Sequence, residues 1–181
     1  MREKSWRKWE VAGLFFTLIW GNLFHFVFDW SGESAAVGAI AAVNESVWEH
    51  IKLLVVPWVL WSVLETLALR RSRINILGSR AAALLLGVIY IPAVYYTYVG
   101  ASGSNVAIIN IIIFQLAVLL AFFVSWRWLD KGRLQGKFWS VCGAAILLLS
   151  LALVVYWTFF PPQIPLFTDP VTGQTGISQG L

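Results

Sequence analysis

Apolar positions fall in five long blocks separated by short polar or basic interruptions, and that pattern sets the architecture. A helix that crosses the hydrocarbon core of a bilayer needs about 20 predominantly apolar residues. The blocks at 11–30, 45–69, 81–99, 105–128 and 138–160 are of that length. The pattern predicts an all-α, polytopic integral membrane protein: a bundle of five transmembrane helices within 1–160, then a Pro/Gly-rich tail over 161–181. No internal repeat is visible.

The interruptions carry the detail. Residues 31–34 break the first block, and the small-residue stretch 35–43 (AAVGAIAAV) is too short to cross. It is expected as a short interfacial or re-entrant helix, or as an extension of the second span. Asn44 is suited to cap that span, and Pro57 to kink it. Residues 100–104 form an uncharged turn, 130–133 a polar loop, and Pro161-Pro162 ends the last span. In the tail, Asp169-Pro170 with Gly173 signals a turn. Ile164, Leu166 and Phe167 are apolar enough to fold back on the bundle and bring Asp169 with them.

Composition agrees with this pattern. Soluble domains carry about 45–50% apolar and about 25% charged residues, whereas this chain has 59% and 12%. Many of its 11 Trp stand at block ends, where amphipathic rings favour the headgroup zone. Every Lys and Arg except Lys52 lies in the N-terminal segment, in 70–80, or in 127–137. Such residues accumulate on the cytoplasmic side, so the chain is expected in the cell membrane with its N-terminus in the cytoplasm and its tail outside. The net charge of +4 then reads as a topology signal and not as a nucleic-acid footprint. Residues 1–10 resemble the basic start of a signal peptide, but no small-x-small cleavage site follows and the block contains His25 and Asp29, so it is expected as a retained span. With Cys142 as the single cysteine, no internal disulfide can form.

Ionisable groups inside spans are costly and count as functional candidates. In the expected topology His25, Asp29, Glu45, Glu49, His50 and Lys52 all fall in the outer third of the membrane or at its edge. Asn22, His25 and Asp29 recur at helical spacing on one face, as do Glu45, Glu49 and Lys52. Imidazole and carboxylate ligands suit zinc or a similar divalent ion. The expected ligands are His25, Asp29, Glu49 and His50, with Glu45 or Asp169 as general base and Lys52 holding a phosphate or a developing oxyanion. The bland reading is that acids at a helix start complement its dipole, and that Glu49 with Lys52 is an ordinary intrahelical pair. Glu65, near the opposite end, is expected to pair with an arginine of the following loop.

Two strings, 44–52 (NESVWEHIK) and 165–173 (PLFTDPVTG), with the five-span layout, resemble an uncharacterised family of small bacterial multi-pass membrane proteins, a domain of unknown function. That resemblance implies fold and membrane placement and carries no activity. A looser similarity is to the ceramidase-like intramembrane zinc hydrolases, whose residue types are matched by His25, Asp29, Ser46 and His50. The chain departs from them in having five spans instead of seven, two histidines instead of three, and no HxxxH pair, so no catalytic assignment carries over.

Three functions remain open at this stage. The first is a metal-dependent intramembrane hydrolase acting on a lipid or lipid-linked substrate. The second is a cation- or proton-coupled transporter component. The third is a non-catalytic assembly or sensor protein. No nucleotide-binding, haem or cysteine-based metal motif is present, so membrane lipids are the expected partners and nucleotides and nucleic acids are not.

Overall fold

The computed structural model describes residues 5–70 and 74–177. The cations of 1–4 and Arg71 and Arg73, which the orientation argument used, lie outside the described residues. The described chain is helical: α1 (Ser5–Trp30), α2 (Ala35–Gly38), α3 (Val47–Leu69), α4 (Leu77–Ser102), α5 (Ala107–Asp130) and α6 (Lys137–Phe159). All but α2 are long and apolar enough to cross a membrane.

The third helix is the hub, touching α1, α4, α5 and α6. Its apolar residues point in every direction, which is how a helix surrounded by others reads. Trp58 and Leu54 sit fully buried at its centre, with Leu84, Ala117 and Ala121 closing the core from α4 and α5. Outward residues such as Ile19, Ile89, Phe123 and Leu148 are exposed large hydrophobics, as a bundle facing lipid requires.

Close approaches are made at glycine. A Cβ on Gly143 of α6 would lie 2.4 Å from the Leu77 carbonyl oxygen of α4. One on Gly21 of α1 would lie 2.9 Å from the Leu53 carbonyl oxygen and 2.4 Å from the Phe114 ring. That carbonyl is the one whose intrahelical donor is missing at Pro57, four residues on.

The helix boundaries differ in places from the pattern reading, α1 for instance beginning at Ser5 instead of 11. The cap of α3 is Ser46, whose side chain accepts from the Glu49 N–H. Asn44 acts one step earlier, its Oδ1 accepting from the Ser46 N–H at 2.9 Å. The stretch after 34 forms the expected short helix, the one-turn α2, and then leaves helical geometry, so of the two readings it is not an extension of α3. Ala41 and Ala42 are buried, and the Ala42 N–H donates to the Phe24 carbonyl at 3.1 Å; small side chains let this segment tuck against α1. The fourth helix starts at Leu77, ahead of the expected 81, because Asn75 Oδ1 accepts from the Leu77 N–H at 3.1 Å and Arg80 finds buried partners.

The tail docks. Phe167 is buried against Trp48 and Trp157, and the Trp48 N–H donates to the Leu166 carbonyl at 3.0 Å. Asn44 Nδ2 donates to Gly176 O at 3.0 Å. The expected turn is present: the Gly173 N–H reaches Asp169 O at 2.9 Å, and the Asp169 N–H reaches Gln174 O at 2.8 Å. Gly173 adopts φ +73°, a left-handed conformation that glycine takes without strain.

Candidate metal centre

The local fold of 44–52 sends its acids in two directions. Because Ser46 is extended at φ −67°, ψ 155°, Glu45 lies before the helix and escapes the 3.6-residue register that would align it with Glu49 and Lys52. Its carboxylate turns toward α1 and meets both histidines. Oε1 lies 3.3 Å from His25 Nε2 and Oε2 lies 3.9 Å from His50 Nε2. The imidazole rings stand 5.7 Å apart, edge to face. One nitrogen or oxygen from each of His25, Glu45 and His50 lies within 4.8 Å of the others.

The His50 ring is oriented by the backbone. Its Nδ1 is 2.9 Å from the Ser46 carbonyl oxygen, and a carbonyl only accepts. Nδ1 therefore carries a proton, and in the neutral ring the lone pair is on Nε2, the nitrogen 3.9 Å from Glu45 Oε2. Fixing the tautomer through the far nitrogen is the usual support of a metal-ligating histidine. The hydrogen bond and charge of His25 hold the Glu45 carboxyl below its ordinary value of 4.5.

A small cavity of about 70 Å³ adjoins the two histidines, lined also by Asn22, Phe26, Leu53 and Phe114. It lies between α1, α3 and α5. Asn22 is held in place there, its Oδ1 accepting from Gln115 Nε2 at 2.8 Å.

The other sequence candidates stand elsewhere. Asp29 is exposed at the end of α1, one turn from His25, outside the three-residue cluster. Glu49 points about 100° around α3 from His50, where it accepts from the Val43 N–H at 3.1 Å and pairs with Lys52 Nζ at 2.5 Å. Lys52 also donates to Gly38 O and to Thr158 Oγ1, both at 2.8 Å. This pair is buried and its ammonium fully partnered, so Lys52 faces no cavity. It ties the α2 segment, α3 and α6 together. Asp169 is buried beneath its own turn, accepting from the N–H groups of Val171, Thr172 and Glu45. Burial pushes its carboxyl up, but those donors outweigh it and hold it below the ordinary 3.8. Asp169 thus grips the backbone of Glu45 and does not itself enter the cluster.

Glu65 pairs with Arg80 as expected, although Arg80 belongs to the first turn of α4 and is wholly buried. Sequence reasoning missed Glu10, taken as part of a basic leader-like segment, and missed the buried role of Arg80, taken as a topology cation. The available signal was local. Arg80 is flanked by Gly78-Ser79 and Ala81-Ala82-Ala83, small residues that permit close packing around a charge.

Fold and site together define a small polytopic bundle of membrane-type helices with a His/Glu cluster at one end and a docked tail beside it. The chain belongs to DUF6512, a family of unknown function, which matches residues 1–177. No curated protein and no solved structure matches it.

Proposed function

We propose that this protein is a membrane-embedded metalloprotein that holds a zinc-like divalent ion between His25, Glu45 and His50, and that it is a metal-dependent hydrolase of lipid or lipid-linked substrates. The observation that carries the metal reading is the convergence of three ligand atoms within 4.8 Å on an imidazole whose tautomer the backbone fixes. Structural zinc sites are closed by four protein ligands, whereas catalytic sites supply three and leave a position open. Three ligands beside a cavity follow the second pattern. A bound ion would supply Lewis acidity and an activated water. Around it His50 is held by Ser46, and Glu45 is held by the Asp169 turn. The cavity between α1, α3 and α5 is mainly apolar and, at about 70 Å³, has room for water beside the ion.

In this reading Glu45 is a ligand. Asp29, exposed one turn from His25, is the carboxylate available as general base; Glu49, Lys52 and Asp169 are structural supports. The N-terminus lies in the cytoplasm and the metal centre near the outer face of the cell membrane. The charge pattern supports this placement, with Arg70, Arg127, Lys131 and Arg133 at the end of the bundle opposite the histidines.

The function is tested by incubating zinc-loaded protein in nanodiscs of mixed phospholipid and ceramide and analysing products by mass spectrometry. Released headgroup or fatty acid, abolished by His25→Ala and by Glu45→Gln, is expected. Product formation that is equal in wild type and both variants, or absent from all three, would contradict the hydrolase reading.

A further inference from the structure

A second buried charge cluster lies at the other end of the bundle, independent of the histidines. Arg80 of α4 pairs with Glu65 of α3 and stands 3.5 Å from Glu10 Oε1 of α1. Its guanidinium is packed over the rings of Trp58 and Phe122, at 4.9 and 4.7 Å. Ser125 of α5 donates to Glu10 Oε1 at 2.9 Å. Four spans thus contribute to one site, and its three charged residues are at most 2% exposed.

The charges do not balance. Among the described residues two carboxylates face one guanidinium, which leaves an excess negative charge where burial makes an unpaired ion costly. Nor are the hydrogen bonds complete. Among the described residues, Glu10 Oε2, Glu65 Oε1 and Arg80 Nη1 are buried and find no partner. Arg127 is exposed at the rim of an adjoining groove, and among the described residues Arg80 is the only cation within ion-pair distance of either carboxylate. Arg7 is engaged by Asp130 at 2.6 Å. The groove, about 440 Å³ and open to the lipid side, runs between α1 and α5 with Glu10 in its wall beside Leu14, Phe123 and Trp126.

We infer that the Glu10–Glu65–Arg80 cluster binds one exchangeable monovalent cation, a proton or a sodium ion, reached through the groove between α1 and α5. One positive charge neutralises the site, and the two bare carboxylate oxygens accept it. The bare Arg80 N–H donates to a water that accompanies the ion. This site does not depend on the metal centre.

Infrared difference spectroscopy on the full chain in lipid tests it, with buffer exchanged from acid to alkaline and, separately, between sodium and a large organic cation at fixed pH. Wild type is expected to show a carboxyl change in one of the two exchanges. A protonated-carboxyl band lost toward alkaline pH identifies a proton, and a sodium-dependent carboxylate shift identifies sodium. Glu10→Gln should remove that feature. Glu65→Gln, which leaves one carboxylate per guanidinium, should remove it as well, so the test survives if either variant fails to fold. Both difference spectra of wild type coinciding with those of a folded variant would overturn the inference.

Discussion

At the residue scale, one backbone rotation decides which acid reaches the histidines. A helix beginning at Asn44 would place Glu45, Glu49 and Lys52 on one stripe, and sequence spacing alone favours Glu49 as the ligand. The cap at Ser46 removes Glu45 from the stripe and leaves Glu49 to Lys52. Zinc affinity, measured by competition with a chromophoric chelator, is therefore expected to fall strongly in Glu45→Gln and hardly at all in Asp29→Asn. Asp169→Asn weakens the grip on Glu45 from outside the ligand set, and an effect of about tenfold is expected of such a support. The buried Lys52–Glu49 pair behaves differently. Lys52→Met strands a carboxylate and should destabilise the fold by about 3–5 kcal/mol, whereas Lys52→Met with Glu49→Gln should recover most of that loss. Thermal unfolding in detergent reads both.

At the scale of elements, the tail and the close helix contacts are the parts that sequence conveys least. The turn at 169–173 was legible because Asp-Pro and Gly announce it. Its docking was legible only in the apolar Ile164, Leu166 and Phe167; the bonds that seat it, from the Trp48 backbone N–H and the Asn44 side-chain amide, leave no periodicity. Asp169 also gives the docking a pH dependence. Its carboxyl titrates lower in the folded chain than its ordinary 3.8, and Glu45 titrates lower than 4.5. Their stabilisation is fully present above those values and is lost as pH falls through the depressed ones. Amide exchange of Val171 and Thr172, corrected for intrinsic rates, should thus stay protected from neutral pH down to that range and lose protection below it. In Asp169→Asn it should be faster already at neutral pH. Between helices, Gly143→Leu drives a side chain into the Leu77 backbone. A loss of at least about 1–3 kcal/mol, typical of overpacking, is expected in the same unfolding assay.

At the scale of the molecule, five spans were legible because length and hydrophobicity are enforced by lipid everywhere along the chain. The site was half legible. His25 and His50 stood out as ionisable groups in apolar blocks, but their partner depends on where a cap falls. The Glu10–Arg80 contact depends on how helices far apart in sequence pack, which no local pattern encodes. The proposed orientation is open to a direct check in a Cys142→Ala background. Val171→Cys should react with an impermeant maleimide added to intact cells, and Lys131→Cys only after lysis; the reverse would invert the topology.

The central claim is that His25, Glu45 and His50 hold one divalent ion. The most direct measurement is metal per chain by mass spectrometry on protein purified without chelator from zinc-supplemented cells. About one zinc per chain is expected, retained in Glu49→Gln and lost in His25→Ala, His50→Ala and Glu45→Gln while helicity persists. Background metal in wild type, or equal metal in all the variants, would contradict it and leave the cluster as a histidine–carboxylate ion pair.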